Sequence, residues 1–162
     1  MHGSVLIVDD QESIRLLLGK ALEADGHSVQ TAGSGAEARA VMAREEPDVA
    51  LVALKLPDAN GLDLLAEMRE TIPGIHVVII TAFSEVGTAV EAMKRGAFDY
   101  IAKPVNLDEL GVVIGKALST RRVSLELSHL REARGKELGQ DWVETRNPKM
   151  LRVLEIAREV AR

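Results

Sequence analysis

The 162-residue chain contains no cysteine. That excludes a disulfide framework and any metal site built from thiolates. Aromatic residues are nearly missing too, with Phe 2, Tyr 1 and Trp 1. The core must then be assembled from Val, Leu, Ile and Ala, which suits a parallel sheet covered by helices. Histidines stand at positions 2, 27, 76 and 129, too scattered to suggest a histidine-built metal centre. There is no excess of positive charge: 20 Lys and Arg face 25 Asp and Glu, a net charge of −5. This argues against a general nucleic-acid-binding surface. No apolar run approaches the ~20 residues that would span a bilayer. The short run from Val5 to Val8 leads into two aspartates and does not read as a signal peptide. The sequence is read as soluble and cytoplasmic, with no membrane partner.

What the chain does have is alternation. Apolar β-type runs at 4–8, 28–32, 49–53, 76–81 and 99–102 alternate with helical patterns at 13–24, 35–44, 62–70 and 84–95, and with one starting near 107. In the first helix Ile14, Leu17, Leu18, Ala21 and Leu22 recur at helical spacing. Gly26 and Gly96 follow helix ends, Ser84 stands where a cap belongs, and Asn106 is expected to cap the fifth helix. Gly33-Ser34-Gly35 reads as a loop capping the second helix, not as a dinucleotide fingerprint. Five βα units joined by short loops predict a doubly wound, five-stranded parallel sheet of flavodoxin-like architecture, with right-handed crossovers.

Sites in such sheets lie at the carboxyl ends of the strands. Asp9 and Asp10 follow the first strand, Ala53 ends the third, Thr81 ends the fourth, and Lys103-Pro104 follows the fifth. Adjacent carboxylates repel, and a hard cation such as Mg²⁺ relieves that repulsion. A lysine and a threonine opposite them suit phosphoryl oxygens. The set reads as a phosphoryl-transfer site without its acceptor.

The acidic pair in "VLIVDD", the segment "LKLPDANGLDLL", the strand end "IITA" and the segment "GAFDYIAKP" occur in this order from residue 4 to about 120. Together they resemble the response-regulator receiver domains of bacterial two-component signalling. In that family the phosphoacceptor aspartate ends the third strand, four residues before the turn proline. Pro57 puts that position at Ala53. The resemblance further implies that Asp10 is a direct Mg²⁺ ligand, that Asp9 acts mainly through water, and that the carbonyl of Lys55 is another ligand. Thr81 resembles the switch hydroxyl, Tyr100 the aromatic that moves with it, and Lys103 the lysine that pairs with the phosphoryl group, with a cis bond to Pro104. Alanine offers no nucleophilic oxygen, so aspartyl phosphate cannot form at position 53. Mg²⁺ binding should weaken, and Lys103 should turn to Asp9 or Asp10. Because the rest of the site is intact, the alanine is read as an engineered replacement of aspartate. The alternative is a naturally degenerate pseudo-receiver, a phosphate-independent dimerisation or interaction module.

Residues 107–138 read as one long helix, with Thr120, Val123, Leu127 and Leu130 forming a coiled-coil-like seam and Leu118 and Leu125 a second stripe. After Gly139, Trp142 and an Asn147-Pro148 helix start precede a strongly apolar segment. This resembles the opening of the AAA+ ATPase domain in NtrC-like, sigma-54-dependent activators. The expected organisation is a receiver over 1–120, a helical linker over 121–140, and the start of a truncated ATPase over 141–162. The expected partners are a sensor histidine kinase and a second copy, met through the face of the fourth helix, fifth strand and fifth helix, or through the linker. DNA and sigma-54 RNA polymerase would be met only through domains absent from this chain. No enzymatic activity is expected. Gly111 to Lys116 is one residue short of a P-loop and lies inside a helix. The Asp-x-Asp nucleophile motif of a haloacid-dehalogenase-like phosphohydrolase is also missing.

Overall fold

The computed structural model describes residues 2–82 and 86–141. The elements run β1 (Ser4–Val8), α1 (Glu12–Ala24), β2 (Ser28–Ala32), α2 (Gly35–Arg44), β3 (Val49–Ala53), α3 (Gly61–Thr71), β4 (His76–Thr81), α4 (Val86–Lys94), β5 (Asp99–Ala102) and α5 (Leu107–Asp141). All five strands pair in parallel in the order β2-β1-β3-β4-β5. This is the doubly wound architecture expected from the alternation, with its switch point between β1 and β3. The expected cap at Ser84 lies outside the described residues, as does segment 142–162 with Trp142, Asn147 and Pro148.

Strand periodicity divides the core in two. Leu6 and Val8 of β1, Ala50 and Val52 of β3, and Val77 and Ile79 of β4 point to one face, under Val41 and Met42 of α2, Leu65 and Met68 of α3, and Ala92 of α4. Val5 and Ile7, Val49 and Leu51, and Val78 and Ile80 point to the other, under Leu18 and Leu22 of α1 and Leu110, Ile114 and Ala117 of α5. Every residue of β3 is buried, as a central parallel strand requires. Burial of this much aliphatic surface on both faces is the main force holding the unit together.

The helix starts show how local sequence fixes the layout. Ser34 Oγ accepts from Glu37 N at α2, and Asn60 Oδ1 accepts from Leu62 N at α3. Asn106 Oδ1 accepts from the backbone N–H groups of Asp108 and Glu109 at α5, as the sequence implied. One reading of α1 fails. Leu17 is half exposed, as is its neighbour Leu16, while Leu18 and Leu22 are buried. The inward stripe runs through the partly buried Ile14 and the buried Leu18 and Leu22, because α5 covers much of the same sheet face and leaves α1 only a narrow contact.

The chain divides into a compact unit through Ser124 and a second from Leu125 onward. Arg121 is the last buried residue of α5 among those described. Its Nε donates to Asp48 Oδ1 at 3.0 Å, and the other oxygen of Asp48 accepts from Ser4 N at 3.0 Å. This joins α5 to the amino-terminal edge of the sheet.

Candidate functional site

The strand register assembles the site. Val8 lies beside Val52, Ala53 beside Ile80, and Thr81 beside Ala102. The residues that end or follow β1, β3, β4 and β5 therefore share one edge of the sheet. A cleft of about 190 Å³ opens there, lined by Asp10, Gln11, Ala53, Leu54, Lys55, Ile80, Thr81, Ala82 and Lys103.

Asp9 sits behind this cleft, only 2% exposed. One carboxylate oxygen accepts from Lys103 Nζ at 2.8 Å and the other from Gln11 N at 2.9 Å. Its carbonyl accepts from Arg15 Nη1 at 2.6 Å. The expectation that Lys103 would turn to an aspartate is met at Asp9. Lys103 is itself held by its backbone N–H, which donates to the carbonyl of Thr81 at 2.8 Å, and its bond to Pro104 is cis. Thr81 and Ala53 are both buried at the cleft wall, whereas Asp10 is exposed at its mouth.

The loop after β3 is folded tightly. Gly61 N donates to Leu54 O at 2.7 Å, and Leu56 N donates to Ala59 O at 3.1 Å. A Cβ on Gly61 would stand 2.3 Å from the carbonyl oxygen of Ala53 and 2.9 Å from the Leu54 Cα, so only glycine lets the turn return this closely to the strand end. Asp58 reaches sideways from the same loop and accepts from the backbone N–H groups of Gly35 and Ala36. Those amide hydrogen bonds hold its carboxyl below the ordinary value.

The donors available to a hard cation are the exposed carboxylate of Asp10, the Lys55 carbonyl and the already paired carboxylate of Asp9. Among the described residues no group of three His, Cys, Asp or Glu side chains is placed to hold a metal ion. Such a set fits Mg²⁺ only as a weak, largely water-coordinated site, because one carboxylate is neutralised by an ammonium and no third is at hand. Tyr100 does not line the cleft; it is partly buried and packs against the core under α2, α3 and α4. Two contributors were not legible in the sequence. Gln11 helps to line the cleft, but a glutamine after two aspartates carries no signal. Asp58 stands beside the turn proline and carries no local signal, since its partners lie 22 and 23 positions away.

The family described as Response regulator receiver domain matches residues 5–114. The chain belongs to the response-regulator receiver family. Over 160 residues this receiver is 41% identical to the alginate biosynthesis transcriptional regulatory protein AlgB of Pseudomonas aeruginosa, covering 99% of this chain and 35% of that protein. It is 39% identical over 118 residues to the DNA-binding transcriptional regulator NtrC of Escherichia coli, covering 73% of this chain and 25% of that one. The NtrC-like resemblance seen in the sequence therefore holds. Among solved structures, NtrX from Brucella abortus in complex with ADP superposes with a TM-score of 0.77 at 36% identity, over 83% of this chain and 30% of that one. The receiver domain of NtrX alone gives a TM-score of 0.68, over 72% of this chain and 98% of that one. This receiver thus spans about a third or less of the curated relatives it matches. No described helix is long and apolar enough to cross a membrane.

Proposed function

We propose that this chain is the regulatory receiver of a cytoplasmic, NtrC-like, sigma-54-dependent transcriptional activator, held in its unphosphorylated state by the alanine at position 53. The observation that carries this reading is the cleft in which Ala53, Thr81 and Lys103 meet beside Asp9 and Asp10. With aspartate at position 53, a sensor histidine kinase would supply the phosphoryl group. Lys103 and Thr81 would hold its oxygens, and Thr81 and Tyr100 would pass the change to the face of α4, β5 and α5. Asp10, the Lys55 carbonyl and, through water, Asp9 would hold Mg²⁺, which supplies charge neutralisation for phosphoryl transfer. As it stands the chain transfers no phosphoryl group and is no enzyme. The intact remainder of the cleft supports the reading that the aspartate was replaced deliberately.

The output is a change in dimer packing that controls assembly of an ATPase, begun by residues 141–162 and continued in domains outside this chain, which would also meet DNA and sigma-54 polymerase. Two sets of exposed apolar side chains support a homodimer. Val86, Val90 and Met93 of α4 and Leu107 and Val112 of α5 are exposed on the receiver, and Val123, Leu127 and Leu130 are exposed further along α5.

A second reading draws on the Lys103–Asp9 pair, which satisfies the lysine without any phosphate. In it the chain is a phosphate-independent interaction module. Intact-mass spectrometry after incubation with acetyl phosphate and Mg²⁺ separates the two. The receiver reading expects one added phosphoryl group on the Ala53→Asp variant and none on the Ala53 chain. No addition to either would favour the interaction module.

A further inference from the structure

We propose that the place left at Ala53 is a binding site for a small carboxylate, with formate as the ligand of best fit. The inference rests on the reading of position 53 given above. An aspartate side chain is an alanine side chain carrying one carboxylate group. Formate is that carboxylate as a free molecule. Formate against the Cβ of Ala53 therefore supplies the missing charge, set further from the strand end than in aspartate because the two carbons touch at about 3.5 Å instead of being bonded.

The surroundings suit such an anion. The cleft of about 190 Å³ is open to solvent, and its wall carries Ala53 and Thr81, exposed by only 4% and 3%. A water molecule takes a share of about 30 Å³, so a three-atom ion enters without displacing protein. Lys103, whose side chain is 17% exposed, lines the same space. An ammonium has three donors. One is used on Asp9 at 2.8 Å, and the same nitrogen can serve a second carboxylate at the Ala53 position.

Asp9 and Asp10 set the conditions of binding. A third carboxylate near them is repelled unless a cation is present, so formate and Mg²⁺ should each raise the affinity for the other by the same factor. A ligand of three heavy atoms reaches a dissociation constant on the order of 1 mM at best. Size should discriminate sharply. The methyl of acetate, packed against the Cβ of Ala53, would push its carboxylate further out of the cleft, so acetate binds worse than formate. Removing that Cβ reverses the order.

The test is a titration of the ¹⁵N-labelled chain with sodium formate against sodium chloride at equal ionic strength, with and without Mg²⁺. We expect saturable amide shifts confined to residues 53–55, 81–82 and 103, and a formate constant lowered about fivefold or more by Mg²⁺. Ala53→Asp should abolish these shifts, and Ala53→Gly should favour acetate over formate. Shifts that match chloride, fail to saturate, or persist in Ala53→Asp would overturn the site. Phosphorylation of Ala53→Asp by acetyl phosphate is read in parallel. If that variant is phosphorylated while the Ala53 chain ignores formate, the carboxylate site is wrong and the receiver reading stands. If formate binds but the variant takes no phosphoryl group, the site stands and the reading of position 53 as an acceptor place falls.

Discussion

Lys103 and Asp9 meet at 2.8 Å with side chains only 17% and 3% exposed. Removing one partner of such a pair leaves the other charge buried without compensation. Lys103→Ala should therefore lower stability by about 3 kcal/mol, read from urea unfolding near neutral pH. A loss below about 1 kcal/mol would mean that water already shares the charge of Asp9. His76 gives a second residue-scale expectation. Burial, and then the nearby Arg121 and Arg69, hold its imidazole below the ordinary 6.5. His27 is lowered as well, chiefly by burial and against the pull of Asp25. The unfolded chain takes up these protons near 6.5 and the folded chain only at lower pH. Stability is thus fully present above about pH 6.5 and declines as pH falls through that value. The lowered carboxyls of Asp58 and Glu67 act only in more acid solution, as they lose charge. Urea midpoints at about pH 7.5 and about pH 5.5 should show this decline, and His76→Phe should reduce it. The buried Nε2 of His76 has no hydrogen-bond partner, so the phenyl ring leaves no polar atom orphaned.

At the scale of elements, the helices depend on short polar residues placed just before them. Asn106 satisfies two amides of α5 with a single oxygen. Asn106→Ala should cost about 1 kcal/mol in thermal or urea unfolding, and Asn106→Asp should restore most of it. An unchanged midpoint in the alanine variant would show that water caps the helix equally well. α1 differs: its first residue follows Gln11, which makes no side-chain cap. There the amide of Gln11 goes to Asp9, so the turn that would have capped the helix serves the cleft. This is a local rule set aside at a functional edge.

For the whole molecule, the question is what covers the apolar side chains that the monomer leaves in water. Val123, Leu127 and Leu130 are 56%, 42% and 58% exposed and fall at the spacing of a two-helix seam. The chain should run as a dimer in light scattering, and Leu127→Glu should shift it to monomer by burying like charges against each other. Its amide spectrum over residues 4–118 should stay the same, since the core under α1 and α5 does not include Leu127. A dimer that survives Leu127→Glu would place the contact on α4 and the early part of α5.

The sequence alone determined the strands to the residue, the parallel alternation, the loop 33–35 that caps α2, and the cap at Asn106. Each of these is written in neighbouring residues: a run of β-branched side chains, a turn glycine, an oxygen one step before a helix. It also located the edge where Asp9, Asp10, Ala53, Thr81 and Lys103 would gather, because parallel strands all end on the same side. Tertiary structure decided the rest. That Lys103 chooses Asp9 over Asp10 depends on burial: Asp9 is enclosed and Asp10 faces water, though the two are chemically alike. Leu17 lies outside and Leu18 inside because another helix occupies the sheet beside α1. Asp58 holds the start of α2, and Arg121 is buried on Asp48, through contacts 22 to 73 positions apart in the chain. No local pattern encodes such pairs; they exist only once the sheet has brought the loops together.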